Sequence, residues 1–148
     1  MKQVKELQAG RAQIMMKQEN QTDCYEQLKA DERCLLVDCR AEIEWQLLGT
    51  ADLSEIGKKT LLVEWTNLAN QRNPEFVNEI ASYVSKDTPL IIMCRIGGRS
   101  AAAANALIEA GFSDVTNMSE GYEGRANDKG HRNSFEGWRA RGLPWNQT

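Results

Sequence analysis

The sequence predicts an α/β domain in which a parallel sheet is covered by helices on both faces. Two observations carry this. Short apolar runs, Cys34-Leu35-Leu36-Val37-Asp38, Leu61-Leu62-Val63-Glu64-Trp65 and Leu90-Ile91-Ile92-Met93, alternate along the chain with segments of helical spacing. The third run also passes directly into a glycine-containing join, Cys94-Arg95-Ile96-Gly97-Gly98-Arg99-Ser100, and then into Ala101 to Ala104, a strand-to-helix switch.

Residues 1–20 are rich in Lys, Gln and Glu with little periodicity, and read as a loosely held N-terminal arm or a marginal helix ahead of a domain over 21–148. Thr22 is placed to cap a short helix over Asp23 to Lys29. Cys34 to Asp38 then reads as a buried strand that ends in the charged residues Asp38 and Arg40, and Leu61 to Trp65 as a second strand. Asn73-Pro74-Glu75 is a cap with proline at the first helical position, opening a helix with apolar positions at Phe76, Val77, Ile80, Ala81 and Val84. Lys86-Asp87-Thr88-Pro89 breaks the chain before the third strand, Leu90 to Met93. Ser100 to Ala110 is a helix stopped by Gly111, and Asp114 to Met118 is a short final strand. The tail from Glu120 to Trp145 reads as ordered loop, with Tyr122, Phe135, Trp138 and Trp145 pinning it to the domain.

Composition narrows the class. At 148 residues, 41% hydrophobic and 26% charged, the chain is long enough for one compact domain that buries about two-thirds of its unfolded surface. The formal net charge is −3, and Lys and Arg are scattered, so the footprint of nucleic-acid binding is missing. No apolar run approaches the roughly 20 residues that cross a bilayer, and the N-terminus has no apolar signal core. A cytoplasmic protein with no membrane partner is expected. Four cysteines, at 24, 34, 39 and 94, match neither a disulfide scaffold nor paired zinc knuckles, and His131 is the single histidine. No metal site is expected, and Cys24, Cys34 and Cys39 read as small buried hydrophobes.

Cys94 is different because of its place. In an open parallel sheet, ligands bind outside the carboxyl ends of the strands, where the join after Met93 lies. The following helix presents unpaired N–H groups and its positive dipole end, and Gly97 and Gly98 let the backbone curl so that more N–H groups converge. Those donors cradle an anion and stabilise a Cys94 thiolate, helped by Arg95 and Arg99 where their guanidinium groups turn inward. Lowering a free thiol from about 8.5 to about 7 takes roughly 2 kcal/mol, which a helix terminus supplies in good geometry. Cysteine-dependent phosphatases need His-Cys-x5-Arg, wide enough for phosphate. Here Met93 stands at the histidine position and only four residues separate Cys94 from Arg99, a smaller cradle that suits a single sulfur.

Cys94-Arg95-Ile96-Gly97-Gly98-Arg99-Ser100 resembles the active loop of the rhodanese-like sulfurtransferases, C-R-x-G-x-R-S/T. Leu36-Val37-Asp38-Cys39-Arg40 with Glu44-Trp45 is similar to that family's L-V-D-x-R…E-W, Glu120-Gly121-Tyr122-Glu123-Gly124 to its glycine turn, and Gly137-Trp138 through Gly142-Leu143-Pro144 to its closing G-W…G-L-P. The resemblance implies a five-stranded parallel sheet flanked by helices and a two-step reaction that needs no cofactor. Cys94 attacks the outer sulfur of a small anionic donor, thiosulfate or a persulfide, and the Cys94 persulfide passes its sulfur to cyanide or a thiol. It places the loop amides of Arg95, Ile96, Gly97, Gly98, Arg99 and Ser100 around the terminal sulfur, Arg95 or Arg99 toward the donor, and Asp38 and Arg40 as braces of the loop. Two other classes compete: a persulfide carrier or binding module that serves a protein acceptor, and a phosphatase or arsenate reductase, against which the short loop argues. The chain departs from the pattern at Gly49-Thr50-Ala51-Asp52-Leu53, which lacks the usual histidine. It also carries an insert from Arg125 to Glu136, read either as a partial lid over the loop or as a solvated excursion.

Overall fold

A computed structural model describes residues 15–147; of the anticipated arm, residues 1–14 lie outside them. Five strands, β1 (Lys17–Glu19), β2 (Leu35–Asp38), β4 (Leu61–Leu62), β5 (Leu90–Met93) and β6 (Val115–Met118), form one parallel sheet in the order β1-β6-β5-β2-β4. Thr50–Ala51 (β3) and Trp145–Asn146 (β7) pair antiparallel beside it. The helices are α1 (Gln21–Ala30), α2 (Glu42–Leu48), α3 (Phe76–Ala81) and α4 (Gly98–Glu109), with a 3-10 turn at Ser54–Ile56. None of the described helices is long and apolar enough to cross a membrane.

Burial on both sides of the sheet follows the period of two along each strand. Val37, Cys39, Ile92, Cys94 and Val115 face one layer, against Phe76 and Ile80 of α3 and Ala103, Ala104 and Leu107 of α4. Leu36, Ile91 and Met93 face the other, against Cys24 and Leu28 of α1 and against Tyr122 and Trp138 of the tail. The central strand β5 is buried throughout, and its carboxyl end leads directly into the loop that begins at Cys94.

Several boundaries move, each for a local reason. Helix α1 begins earlier than expected because Asn20, not Thr22, is the cap; its side chain accepts from Asp23 N–H at 2.8 Å. Residues 17–19, within the stretch read as an arm, form β1 and pair with Thr116 to Met118. The strand expected over 61–65 is regular for two residues only. Beyond them, Val63 N–H and Trp65 N–H still donate to Asp38 O and Cys39 O at 3.2 and 3.1 Å. Helix α4 starts at Gly98, two residues before expectation, behind Gly97 in a left-handed conformation. Helix α2 had no sequence forecast. It buries only Glu44 and carries no apolar stripe, and its first turn is held by Glu44 accepting from Ala41 N–H and Glu64 from Glu42 N–H. The tail holds through Trp138, whose Nε1 donates to Pro144 O at 2.6 Å and whose ring meets Tyr25 edge-on at 5.6 Å. Tyr122 is buried with it, whereas Phe135 and Trp145 are exposed.

Candidate active site

Cys94 is the first residue past β5, and its side chain is fully buried. Three groups address its sulfur. Gly97 N–H donates to Sγ at 3.1 Å, Ser100 Oγ lies 3.2 Å from it, and the Cys39 thiol faces it from the end of β2, in the same buried cluster. The Cys39 hydrogen bond is the largest influence on Cys94; burial opposes it, Ser100 and the Gly97 amide add to it, and the thiol is pulled down to about 5. Cys39 moves the other way, held well above its ordinary value by burial and by its bond to Cys94. The two shifts run in opposite directions, which favours the charge on Cys94 and the proton on Cys39.

The sequence reading of Cys39 as a small buried hydrophobe holds for its packing, but gave it no place beside Cys94. Cys24 and Cys34 do fit it: both are buried, and desolvation raises them to about 12 and about 11.

The loop arginines point to carboxylates rather than to the sulfur. Arg95 Nε donates to Glu123 Oε2 at 2.5 Å, and Arg99 forks onto Glu44 at 2.6 and 3.0 Å. Burial works to raise the Glu44 carboxyl, but the Arg99 hydrogen bonds and the Ala41 amide hold it below its ordinary value. Arg99 still contributes a favourable charge at Cys94. The groups around Sγ are thus an amide, a hydroxyl and the Cys39 thiol, while the arginines tie the loop to α2 and to the tail. Gly98 faces open space and Ile96 is 43% exposed, an apolar side chain displayed by the loop itself.

Two neighbouring segments shape the loop. From the tail, Tyr122 N–H donates to Cys94 O at 2.7 Å and Glu123 N–H to Arg95 O at 2.9 Å. From β6, Asn117 bonds Ser100 Oγ and donates to Gly97 O at 3.2 Å and to Gln18 Oε1 of β1 at 3.0 Å. Asn117 and Glu123 had no place in the sequence reading of the site; Asn117 leaves no trace there beyond being one of two polar residues, with Thr116, in a short strand.

Asp38 and Arg40 stand behind this wall. Arg40 is fully buried, forks onto Asp38 at 3.0 and 2.7 Å, donates to Gly49 O at 2.7 Å and stacks 4.1 Å from the Tyr122 ring centre. Their path to Cys94 runs through Tyr122. The insert over 125–136 makes its hydrogen bonds to Glu123, to Gly124 and within itself, as in the Arg125–Glu136 fork at 3.1 and 2.9 Å. It is anchored beside the partner of Arg95.

Within the loop, close approach requires glycine at position 97. Gly97 has φ +106°, and a Cβ there would strike the Ser119 carbonyl oxygen, which belongs to backbone and cannot swing aside. Gly97→Ala is expected to cost about 1–2 kcal/mol from the backbone alone, with the clash in addition, whereas Gly98→Ala should melt no lower than the parent. Thermal melting of the two variants checks this, and equal losses would contradict it.

A cysteine at the carboxyl end of the central strand, in a loop closed by a helix N-terminus, fits a rhodanese-like α/β protein, and the comparisons show the family. The family model described as the STR4 middle domain matches residues 16–148. An uncharacterized protein of Rickettsia conorii is 33% identical over 126 residues, 84% of this chain and 92% of its own. The crystal structure of Rv0390 from M. tuberculosis superposes with a TM-score of 0.83 at 37% identity, covering 88% of this chain and 97% of that one. Over 51 residues, 34% of this chain and 42% of the relative, it is 35% identical to thiosulfate sulfurtransferase 16, chloroplastic, of Arabidopsis thaliana. Further solved neighbours are rhodanese-like domains. The chain belongs to the STR4 middle domain family of rhodanese-like proteins, which supports a function in the sulfurtransferase class.

Proposed function

We propose that the protein is a sulfurtransferase whose nucleophile is Cys94. The Cys94 thiolate attacks the outer sulfur of thiosulfate or of a persulfide; the donor's S–S bond breaks, and sulfite or a thiolate leaves. Cyanide or a thiol then takes the outer sulfur and the Cys94 thiolate returns. The loop amides and Ser100 hold the charged outer sulfur, and Arg95 and Arg99, fixed at the rim by Glu123 and Glu44, attract the anionic donor. Asp38 and Arg40 position the loop through Tyr122. The observation that carries this reading is the buried Cys94 sulfur at the end of the central strand, facing the Gly97 amide 3.1 Å away, and the lowered Cys94 thiol supports it.

Intact mass after thiosulfate should show a gain of one sulfur that cyanide removes. An unmodified chain with a free Cys94 thiol would reject the reading. The pH profile is a second check. Because the thiolate is the reactive form and Cys94 titrates at about 5, the loading rate should stay flat from neutral pH down to about 6. Below the pKa it should fall about tenfold per unit. A midpoint near the ordinary thiol value of about 8.5 would contradict the geometry.

Ile96, exposed at the centre of the loop, favours a protein over a small molecule as the final sulfur acceptor. A carrier of this kind loads with thiosulfate but discharges slowly to cyanide; fast discharge to cyanide would select the small-molecule enzyme.

A further inference from the structure

Cys39 is a buried thiol that the sulfur-loading step does not consume. It stands one residue beyond β2, as Cys94 stands one residue beyond β5. The two strands pair Val37 with Ile92 and Asp38 with Met93, and Cys39 N–H donates to Met93 O at 2.9 Å. One more step of that register sets Cys39 opposite Cys94. Both pack in the same buried cluster as Val37 and Ile92, so both point to the same face of the sheet. Adjacent strands lie ~4.8 Å apart, within the roughly 4.4–6.8 Å Cα separation across which disulfides close. Cys24 and Cys34 belong to the opposite layer.

We propose that Cys39 is a second reacting residue of this site, a resolving thiol that displaces hydrosulfide from persulfidated Cys94 and leaves a Cys39–Cys94 disulfide. The inference rests on the Cys94 persulfide of the proposed function. Cys39 Sγ attacks Cys94 Sγ; the Cys39–Cys94 S–S bond forms, and the bond between Cys94 Sγ and the outer sulfur breaks. The Cys39 proton goes to the departing sulfur, which leaves as HS−. The outer sulfur is reduced, and the two cysteines are oxidised together by two electrons. An external dithiol resets the pair by thiol–disulfide exchange and becomes a disulfide itself.

Three features favour the step. The thiol is in place before the persulfide forms, so the reaction is intramolecular, with the high effective concentration that this brings. Cys39 keeps its proton at neutral pH and so brings the acid that hydrosulfide needs in order to leave. Both sulfurs are enclosed, which keeps bulk thiols from reaching the inner sulfur first. The added activity is release of donor sulfur as sulfide, at the expense of a dithiol.

The test follows the fate of the loaded sulfur. The reduced protein is treated with thiosulfate, desalted, and sampled over time for intact mass, free sulfide and linked peptides after denaturing alkylation. Native protein should first gain one sulfur, then show the loss of two hydrogens, one equivalent of sulfide, and a peptide joining Cys39 to Cys94 that dithiothreitol separates. Cys39→Val should load more slowly, having lost the largest influence on the Cys94 thiol, yet hold the adduct once formed and release sulfide at least tenfold more slowly per loaded chain; Cys39→Ser serves where the valine variant does not fold. A native adduct that persists while Cys39 stays alkylatable, or equal sulfide release from native and variant proteins, overturns the resolving role and leaves the persulfide intact. No adduct on any of the three proteins overturns the persulfide and this inference with it.

Discussion

Cys94→Ser should lower the rate of sulfite release from thiosulfate by about 10⁴-fold or more, the scale seen when a covalent nucleophile is removed. A serine hydroxyl is close in size to the thiol and keeps the contacts to Gly97 N–H and Ser100, so the variant should melt near the parent temperature and still lose the reaction. Its hydroxyl does not ionise at neutral pH, and none of the groups around it is a strong base. A serine variant that loads sulfur at more than a few per cent of the parent rate would move the chemistry away from this loop.

The second large effect concerns stability. Arg40→Leu removes one partner of a buried ion pair and strands Asp38 as an uncompensated charge with no exposed surface. Loss of this kind costs about 3–5 kcal/mol, which for a domain of this size is a drop in melting temperature of about 10 °C. The damage should also reach the sulfur, because the guanidinium stacks on Tyr122 and the Tyr122 amide holds the Cys94 carbonyl. Arg40→Lys tests the cause: it keeps the charge and loses the fork onto Asp38 and Gly49. It should fall between the parent and the leucine variant. A leucine variant that melts within a few degrees of the parent would show that the brace is not structural.

Those two residues were legible in the sequence, and the reason generalises to the rest. The strand over 90–93 and the loop over 94–100 announce themselves because an unbroken apolar run followed by paired glycines has few other uses. Asp38 and Arg40 stand out as charges at the end of such a run. What escaped depends on partners distant in the chain. Helix α2 has seven residues and buries one, so its existence rests on Glu64 and Arg99 rather than on its own periodicity. Strand β1 is three polar residues that become a strand only when β6 offers an edge. Cys39 looks like any small apolar residue until the register of β2 against β5 sets it beside Cys94. The arginines were recognised as part of the loop, but their direction was decided by Glu44 and Glu123, which no local pattern connects to them.

The acidity of the Cys94 sulfur is a property of the finished chain. Its influences come from Cys39, Gly97 and Ser100; Asn117, itself bonded to Gln18, holds Gly97 and Ser100, and the Tyr122 amide holds the Cys94 carbonyl, so the chain from 18 to 122 must be in place before the sulfur has these neighbours. An emerging or unfolded polypeptide carries an ordinary thiol, only a few per cent ionised at neutral pH. Reactivity is thereby withheld from every incomplete form of the protein, and the rate at which Cys94 meets a thiol reagent at mildly acidic pH becomes a direct report of correct folding.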